Sequence, residues 1–121
     1  MRQLVLAAAC VAASPAWAAG DAQRGQQAYV ARCGGCHSVD TDRIGPRHAG
    51  VLGRRAGSVP GFPYSDALRK SGLTWNAALL ERWLANPEAL VPGQRMGYQL
   101  ADAQVRADIV AYLATLDDGA R

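Results

Sequence analysis

The stretch CGGCH, Cys33 to His37, decides how the rest of this chain is interpreted. Two cysteines are separated by two glycines, and a histidine follows the second cysteine directly. Three chemistries use such a pair: a redox-active disulfide, one half of a zinc site, and the covalent attachment of haem. The remainder of the sequence has to discriminate among these three.

The surroundings of the motif favour neither thiol redox chemistry nor zinc. A redox C-x-x-C pair usually lies where a strand meets a helix in a βαβ unit, and this sequence contains no convincing strand pattern. A structural zinc site requires about four protein ligands. Beyond the motif only His48 is a plausible nitrogen ligand, and no second ligand pair follows it.

Covalent haem attachment uses all five positions of the motif. The two thiols add to the two vinyl groups of the haem, the two intervening residues span the distance between those groups, and the adjacent His37 can then ligate the iron. Gly34 and Gly35 leave room for the tight turn against the ring. The motif therefore favours haem over the other two chemistries.

The second axial ligand would decide what such a haem does. Met96 lies in a Pro-Gly loop rather than on a helical face, which favours a ligand over the ordinary gap-filling role of methionine. Thioether ligation raises the reduction potential of the iron and closes it to substrates, so it predicts electron transfer. His48 and Lys70 are the other candidate ligands outside the motif.

The N-terminal segment predicts export. Arg2 precedes an apolar run from Leu4 to Ala13, and Ala16-Trp17-Ala18 has the small-x-small pattern of a cleavage site. We therefore expect residues 1–18 to be a cleaved secretory signal peptide and residues 19–121 to form a single domain. The mature protein is expected in the periplasm, without membrane insertion.

Charge and composition describe a small domain with a basic middle. Loss of Arg2 lowers the net charge from +3 to +2, and basic residues concentrate between positions 43 and 70. This distribution suits steering toward an acidic protein partner. No long basic run with interleaved aromatic residues is present, which argues against a nucleic-acid partner.

Helical patterns frame a long irregular middle. Helices are predicted to begin after caps at Asp21, Thr74 and Asp102, and a shorter helix is predicted over residues 64–71. The helix capped by Thr74 is expected to stop at Asn86-Pro87. Dense glycine and proline exclude regular structure over residues 44–63. Long ordered loops in a compact domain need something to pack against, and a large flat apolar ligand would supply it.

In these features the chain resembles the class I, mitochondrial-type c cytochromes of bacteria over residues 20–116. The blocks that carry the resemblance are CGGCH (33–37), IGP (44–46), GRRAGSVPGFPYSDAL (53–68), LTW (73–75), WLANPEALVPGQRM (83–96) and RADIVAYL (106–113). Their order and spacing are more specific than the haem motif itself. The resemblance implies an all-α fold of four to five short helices and long ordered loops around one covalently bound haem c.

The resemblance also implies a role for each site residue. Cys33 and Cys36 would be the thioether anchors, and His37 and Met96 the axial ligands of the iron. The Pro46 carbonyl would accept a hydrogen bond from His37. The residues expected to bind the haem propionates are Arg54, Tyr64 and Trp75. Gly25 and Tyr29 would meet Ile109 and Tyr112 where the first helix crosses the last.

The function implied by the resemblance is that of a soluble, monomeric carrier of single electrons and not of an enzyme. Its expected partners are redox proteins such as a cytochrome bc complex and a terminal oxidase or reductase. An electron-accepting haem subunit of a periplasmic dehydrogenase would use the same ligands, and an open sixth site would indicate an enzyme or sensor.

His48 replaces a leucine common in the family, as either a tolerated variant or a rival ligand. Gln94 replaces a threonine that usually helps to bind a propionate.

Overall fold

The computed structural model describes residues 19–119, so the predicted signal peptide lies outside the described residues. Within that range the chain forms five helices: α1 (Ala22–Arg32), α2 (Asp66–Arg69), α3 (Ala77–Ala85), α4 (Pro87–Leu90) and α5 (Ala103–Leu113). The only β pairing in these residues is an isolated bridge between Arg55 and Thr74. The predicted all-α class is confirmed, and no helix in the described part is long and apolar enough to cross a bilayer.

The two predicted aspartate caps are confirmed. The Asp21 side chain accepts a hydrogen bond from the Arg24 amide at the start of α1, and Asp102 does the same for Val105 at the start of α5. Each cap satisfies one of the amide groups that the first helical turn leaves without a partner. The predicted helix over residues 64–71 is shorter than expected and is capped by Ser65.

The predicted cap of the third helix is wrong. Asn76, not Thr74, accepts the hydrogen bond from the Leu79 amide. The reason is tertiary: the Trp75 amide donates to the Arg54 carbonyl at 2.9 Å, which keeps residues 74 and 75 extended. Asn86-Pro87 ends α3 as predicted, but Pro87 then starts α4, because proline suits the first position of a helix.

The first and last helices cross with their backbones in close contact. A Cβ atom at Gly25 would lie 1.8 Å from the Asp108 carbonyl oxygen and 2.9 Å from the Tyr112 Cβ atom. One turn further along, the rings of Tyr29 and Tyr112 pack edge to face with their centroids 5.3 Å apart. The expected crossing is confirmed, and it depends on the absence of a side chain at position 25.

An ion pair at the end of this crossing fixes the start of α1. The buried Asp108 carboxylate accepts hydrogen bonds from the Arg24 Nε atom at 3.0 Å, the Asp21 amide at 2.8 Å and the Gln104 side chain at 3.0 Å. These donors, the Arg24 guanidinium above all, lower the pKa of Asp108 to about 2. The carboxylate is therefore ionised at any ordinary pH and holds the N-terminal segment on α5.

The core forms a wall around an internal cavity rather than a solid centre. Buried apolar residues of the helices are Tyr29 of α1, Leu80, Trp83 and Leu84 of α3, and Ile109, Val110 and Leu113 of α5. Loop residues Val51, Ala56, Trp75, Val91 and Leu100 complete this cluster. The helices thus supply one side of the wall, and the long irregular segments supply the other.

Replacing Gly25 with alanine tests the crossing of α1 and α5. Because the new methyl group has no space against the Asp108 carbonyl, the helices must separate, and we expect Gly25→Ala to lower the free energy of unfolding by about 3 kcal/mol. The exposed neighbour Gln26 provides the control, since Gln26→Ala should change that free energy by less than about 0.5 kcal/mol. Chemical denaturation of the haem-loaded protein measures both; equal effects would show that the close approach is unimportant.

Candidate functional site

One cavity of about 690 Å³ occupies the interior, and its lining is mostly apolar. The residues predicted to hold the haem or its iron all line it: Cys33, Cys36, His37, Arg54, Tyr64, Trp75 and Met96. They come from the end of α1 and from three separate irregular segments. The volume lies within the range of protein sites that enclose a cofactor or other small molecule.

His37 is held as a neutral imidazole with one nitrogen available. Its Nδ1 atom lies 2.9 Å from the Pro46 carbonyl oxygen, which can only accept, so Nδ1 carries the proton. Burial lowers the pKa of His37, and the imidazole is therefore neutral near neutral pH. Its Nε2 atom then keeps a lone pair, which is the state that a metal requires. The hydrogen bond expected from the resemblance is present.

Gly45 lies directly against the His37 ring. A Cβ atom at this position would be 2.1 Å from Cε1 and 2.5 Å from each ring nitrogen. These three distances place it over the face of the ring, not at its edge. Because only glycine leaves room there, residues 45 and 46 together restrict both the tilt and the rotation of the imidazole.

Arg43 fixes the backbone of the motif from outside. Its NH1 atom donates to the Gly34 carbonyl at 2.6 Å and to the His37 carbonyl at 3.2 Å, and its NH2 atom donates to the Gly35 carbonyl at 3.3 Å. Carbonyl groups at a helix C-terminus lack partners within the helix. The sequence indicated only that Arg43 belongs to the basic middle of the chain. A hydrogen bond from a side chain to backbone carbonyls leaves no periodic pattern that could have predicted it.

No disulfide joins the two cysteines. Cys33 is half-buried and Cys36 is exposed. Burial, assisted by Cys36, raises the pKa of Cys33 to about 11. A redox-active pair requires a lowered thiol pKa, so the environment disfavours that alternative. Among residues 19–119, no three side chains of His, Cys, Asp or Glu come together as a metal-ion site, which gives the zinc alternative no support.

The three predicted propionate ligands bring polar groups to the same cavity. Arg54 donates to the backbone carbonyls of Arg47 at 3.0 Å and Ala49 at 3.2 Å, and the Tyr64 hydroxyl accepts from the Val59 amide at 3.1 Å. Trp75 lines the same cavity and can direct its indole N–H only as a donor. A half-buried guanidinium together with hydroxyl and indole donors suits an anionic group, and so the residues fit a haem propionate.

His48 lies beside His37. The two imidazole rings stack with centroids 4.1 Å apart and an interplanar angle of 20°. The Nδ1 atom of His48 is 2.9 Å from the Tyr29 hydroxyl, and burial lowers the pKa of His48 to about 3. A neutral ring that is stacked on His37 and hydrogen-bonded to α1 acts as a packing residue, which favours the tolerated variant over the rival ligand.

Comparison with known proteins agrees with this geometry. The family model described as cytochrome c matches residues 22–117. Cytochrome c2 of Rhodomicrobium vannielii is 45% identical over 115 residues, which are 92% of this chain and 91% of that protein. The solved structure of cytochrome cH from Methylobacterium extorquens has 45% identity and a TM-score of 0.76, and the match covers 79% of this chain and 99% of that one. Ferricytochrome c2 from Rhodopseudomonas palustris gives the same TM-score at 38% identity, over 80% and 99% of the two chains.

The fold and the cavity define a small all-α protein that encloses one haem between its helices and its loops. The chain belongs to the cytochrome c family and is a class I c-type cytochrome. It binds one covalent haem c, and its function is to carry electrons. The fold and the cofactor predicted from the sequence are thereby confirmed.

Replacing Gly45 with alanine tests the packing around His37. Because the added methyl group would overlap the ring, we expect Gly45→Ala to displace His37 and to lower the free energy of unfolding of the haem-loaded protein by about 3 kcal/mol. Thr41 provides the control, since its side chain is exposed in the same irregular segment and Thr41→Ala should change that free energy by less than about 0.5 kcal/mol. Denaturant titration followed through the haem absorbance measures both variants. An unperturbed Gly45→Ala protein would contradict the described contact.

Proposed function

We propose that the chain is a periplasmic carrier of single electrons, with its haem attached through Cys33 and Cys36 and its iron ligated by His37 and Met96. The observation that carries this proposal is that the four side chains line one cavity. When bound, the haem supplies a one-electron centre whose potential a thioether ligand raises. The neutral His37, hydrogen-bonded to Pro46, supports its role as the nitrogen ligand.

Arg54, Tyr64 and Trp75 are proposed to hold the haem propionates. Arg54 and Trp75 both line the cavity, and a carboxylate bound there could accept hydrogen bonds from the guanidinium and from the indole N–H. Burial lowers the pKa of Arg54, and an anion beside it would offset that desolvation. These residues would thus orient the haem without ligating its iron.

The mouth of the cavity is the proposed docking surface for redox proteins. Arg32, Arg43 and Arg95 line the cavity together with Ile44, which is 77% exposed. Two arginines of the basic middle are paired with carboxylates: Arg47 with Asp42 and Arg69 with Asp66. Docking should therefore combine apolar contact with few charges.

The partners remain those expected for such a carrier, a cytochrome bc complex as donor and a terminal oxidase or reductase as acceptor. Electron-transfer rates measured at increasing salt test the charged part of the docking, and a rate indifferent to salt would remove it. Stable copurification with a larger periplasmic chain would instead favour the dehydrogenase subunit.

Export is supported by the sequence of residues 1–18, and N-terminal sequencing of the mature protein should find Ala19 first.

The near-infrared spectrum of the ferric protein tests the proposed ligation. We expect a weak sulfur-to-iron band in the wild type and its loss in Met96→Ala, because Met96 is the only methionine of residues 19–121. His48→Leu is the matched control: it removes the only other histidine outside the motif, and the band should survive. A wild type without the band, or a band that persists in Met96→Ala, would contradict the proposal.

A further inference from the structure

A polar network ties the loop that carries Met96 to α4. One carboxylate oxygen of Glu88 accepts from the Gly93 amide at 2.8 Å, and the other accepts from the Gln94 side-chain amide at 3.1 Å. The oxygen of the same Gln94 side chain accepts from the backbone amide of Met96. The Gly93 amide and the Gln94 side chain lower the pKa of Glu88, so its carboxylate is ionised. The side chains of Glu88 and Gln94 thus link the Gly93 amide to the Met96 amide, at the two ends of the segment that leads to the proposed ligand.

Backbone hydrogen bonds do little to hold this segment in position. The Gln94 amide donates to the Val91 carbonyl, and the Leu100 amide donates to the Leu84 carbonyl. Within the described part of the chain, residues 95–99 between them make no backbone-to-backbone hydrogen bond. The remaining side-chain tie is a bond of 3.3 Å from Arg95 to the Pro63 carbonyl. Few backbone bonds and an exposed loop are the features of a segment that opens locally.

A second cavity adjoins the Met96 loop. This cavity of about 350 Å³ is lined by Glu88, Gln94 and Met96, together with Asn86, Pro87, Gly97, Tyr98 and Gln99. Met96 thus lines both cavities and is only partly buried, although Met96 and Tyr98 pack against the core. Because open space adjoins the loop, its hydrogen bonds supply part of the restraint.

We propose that Glu88 and Gln94 act as one unit of positioning residues that restrains the Met96 loop, and so sets how readily an external ligand replaces Met96. The proposal rests on the proposed function, since it requires Met96 to be a ligand. It gives Gln94 a role different from the propionate contact associated with this position in the family. Neither residue lines the haem cavity; Gln94 binds the backbone amide of Met96, and Glu88 binds Gln94 and the Gly93 amide.

Imidazole binding to the ferric holoprotein tests this proposal. An external ligand can bind only after Met96 leaves, so the stopped-flow rate should reach a plateau at high imidazole that equals the rate of loop opening. We expect Gln94→Ala and Glu88→Ala each to raise the plateau rate about tenfold, the effect of losing a charge-assisted or equivalent hydrogen bond. The double variant should open little faster than Gln94→Ala alone, because residues of one network are not additive.

Gln99→Ala is the matched control. It removes the same type of side chain from the same loop, three residues after Met96, and Gln99 has no part in the network; its plateau rate should equal that of the wild type. The proposal would be overturned if Glu88→Ala and Gln94→Ala had the same plateau rate as Gln99→Ala. It would also be overturned if the effects of the two single substitutions on the plateau rate were fully additive in the double variant. A wild type that lacks the sulfur-to-iron band would overturn the proposed ligation and this inference together, whereas a normal band with unchanged rates overturns this inference alone.

Discussion

The side chains of this protein leave a cavity of about 690 Å³ in the interior, and the rest of the structure is arranged around it. Helices α1, α3 and α5 and the loops contribute to one buried cluster that forms the wall of this cavity. A large, flat, mostly apolar cofactor completes such a core and contributes stability that a small domain cannot otherwise obtain. The long loops are ordered because they form the second wall of the cavity.

The surroundings of His37, the proposed nitrogen ligand, show how the fold orients a side chain without regular structure. The Pro46 carbonyl sets the tautomer, Gly45 limits the tilt of the ring, and His48 stacks on it. Arg43 holds the backbone on which His37 stands. Contacts of this kind around a ligand fix its orientation and basicity, so the ring is in its working geometry before a metal is considered.

The two proposed axial ligands are restrained very differently. His37 is buried within a dense set of contacts, whereas the segment of Met96 depends on side-chain hydrogen bonds at the surface. Ligand exchange at the iron should therefore begin on the methionine side. On this proposal the histidine stacked on His37 is a packing element, and the Met96 loop governs access to the iron.

Much of this could be predicted from the sequence where the signal is local. The caps at Asp21 and Asp102 and the attachment motif are read from neighbouring residues, and Gly25 follows from the family pattern. The cap at Thr74 was predicted wrongly because Trp75 pairs with Arg54, twenty-one positions earlier, and a local pattern contains no trace of that pairing. The contacts of Arg43 and Gln94 were missed because side chains that bind backbone groups leave no periodicity. The stacking of His48 required the fold itself.

Carbon monoxide binding to the reduced protein tests the central claim most directly, that this cavity holds a haem whose iron is closed by two protein side chains. The account predicts that the visible spectrum of the reduced wild type stays unchanged under carbon monoxide at neutral pH, because Met96 occupies the sixth position. Rapid formation of a carbon monoxide adduct by the wild type would contradict it, and would identify an open site suited to catalysis or sensing rather than to electron transfer.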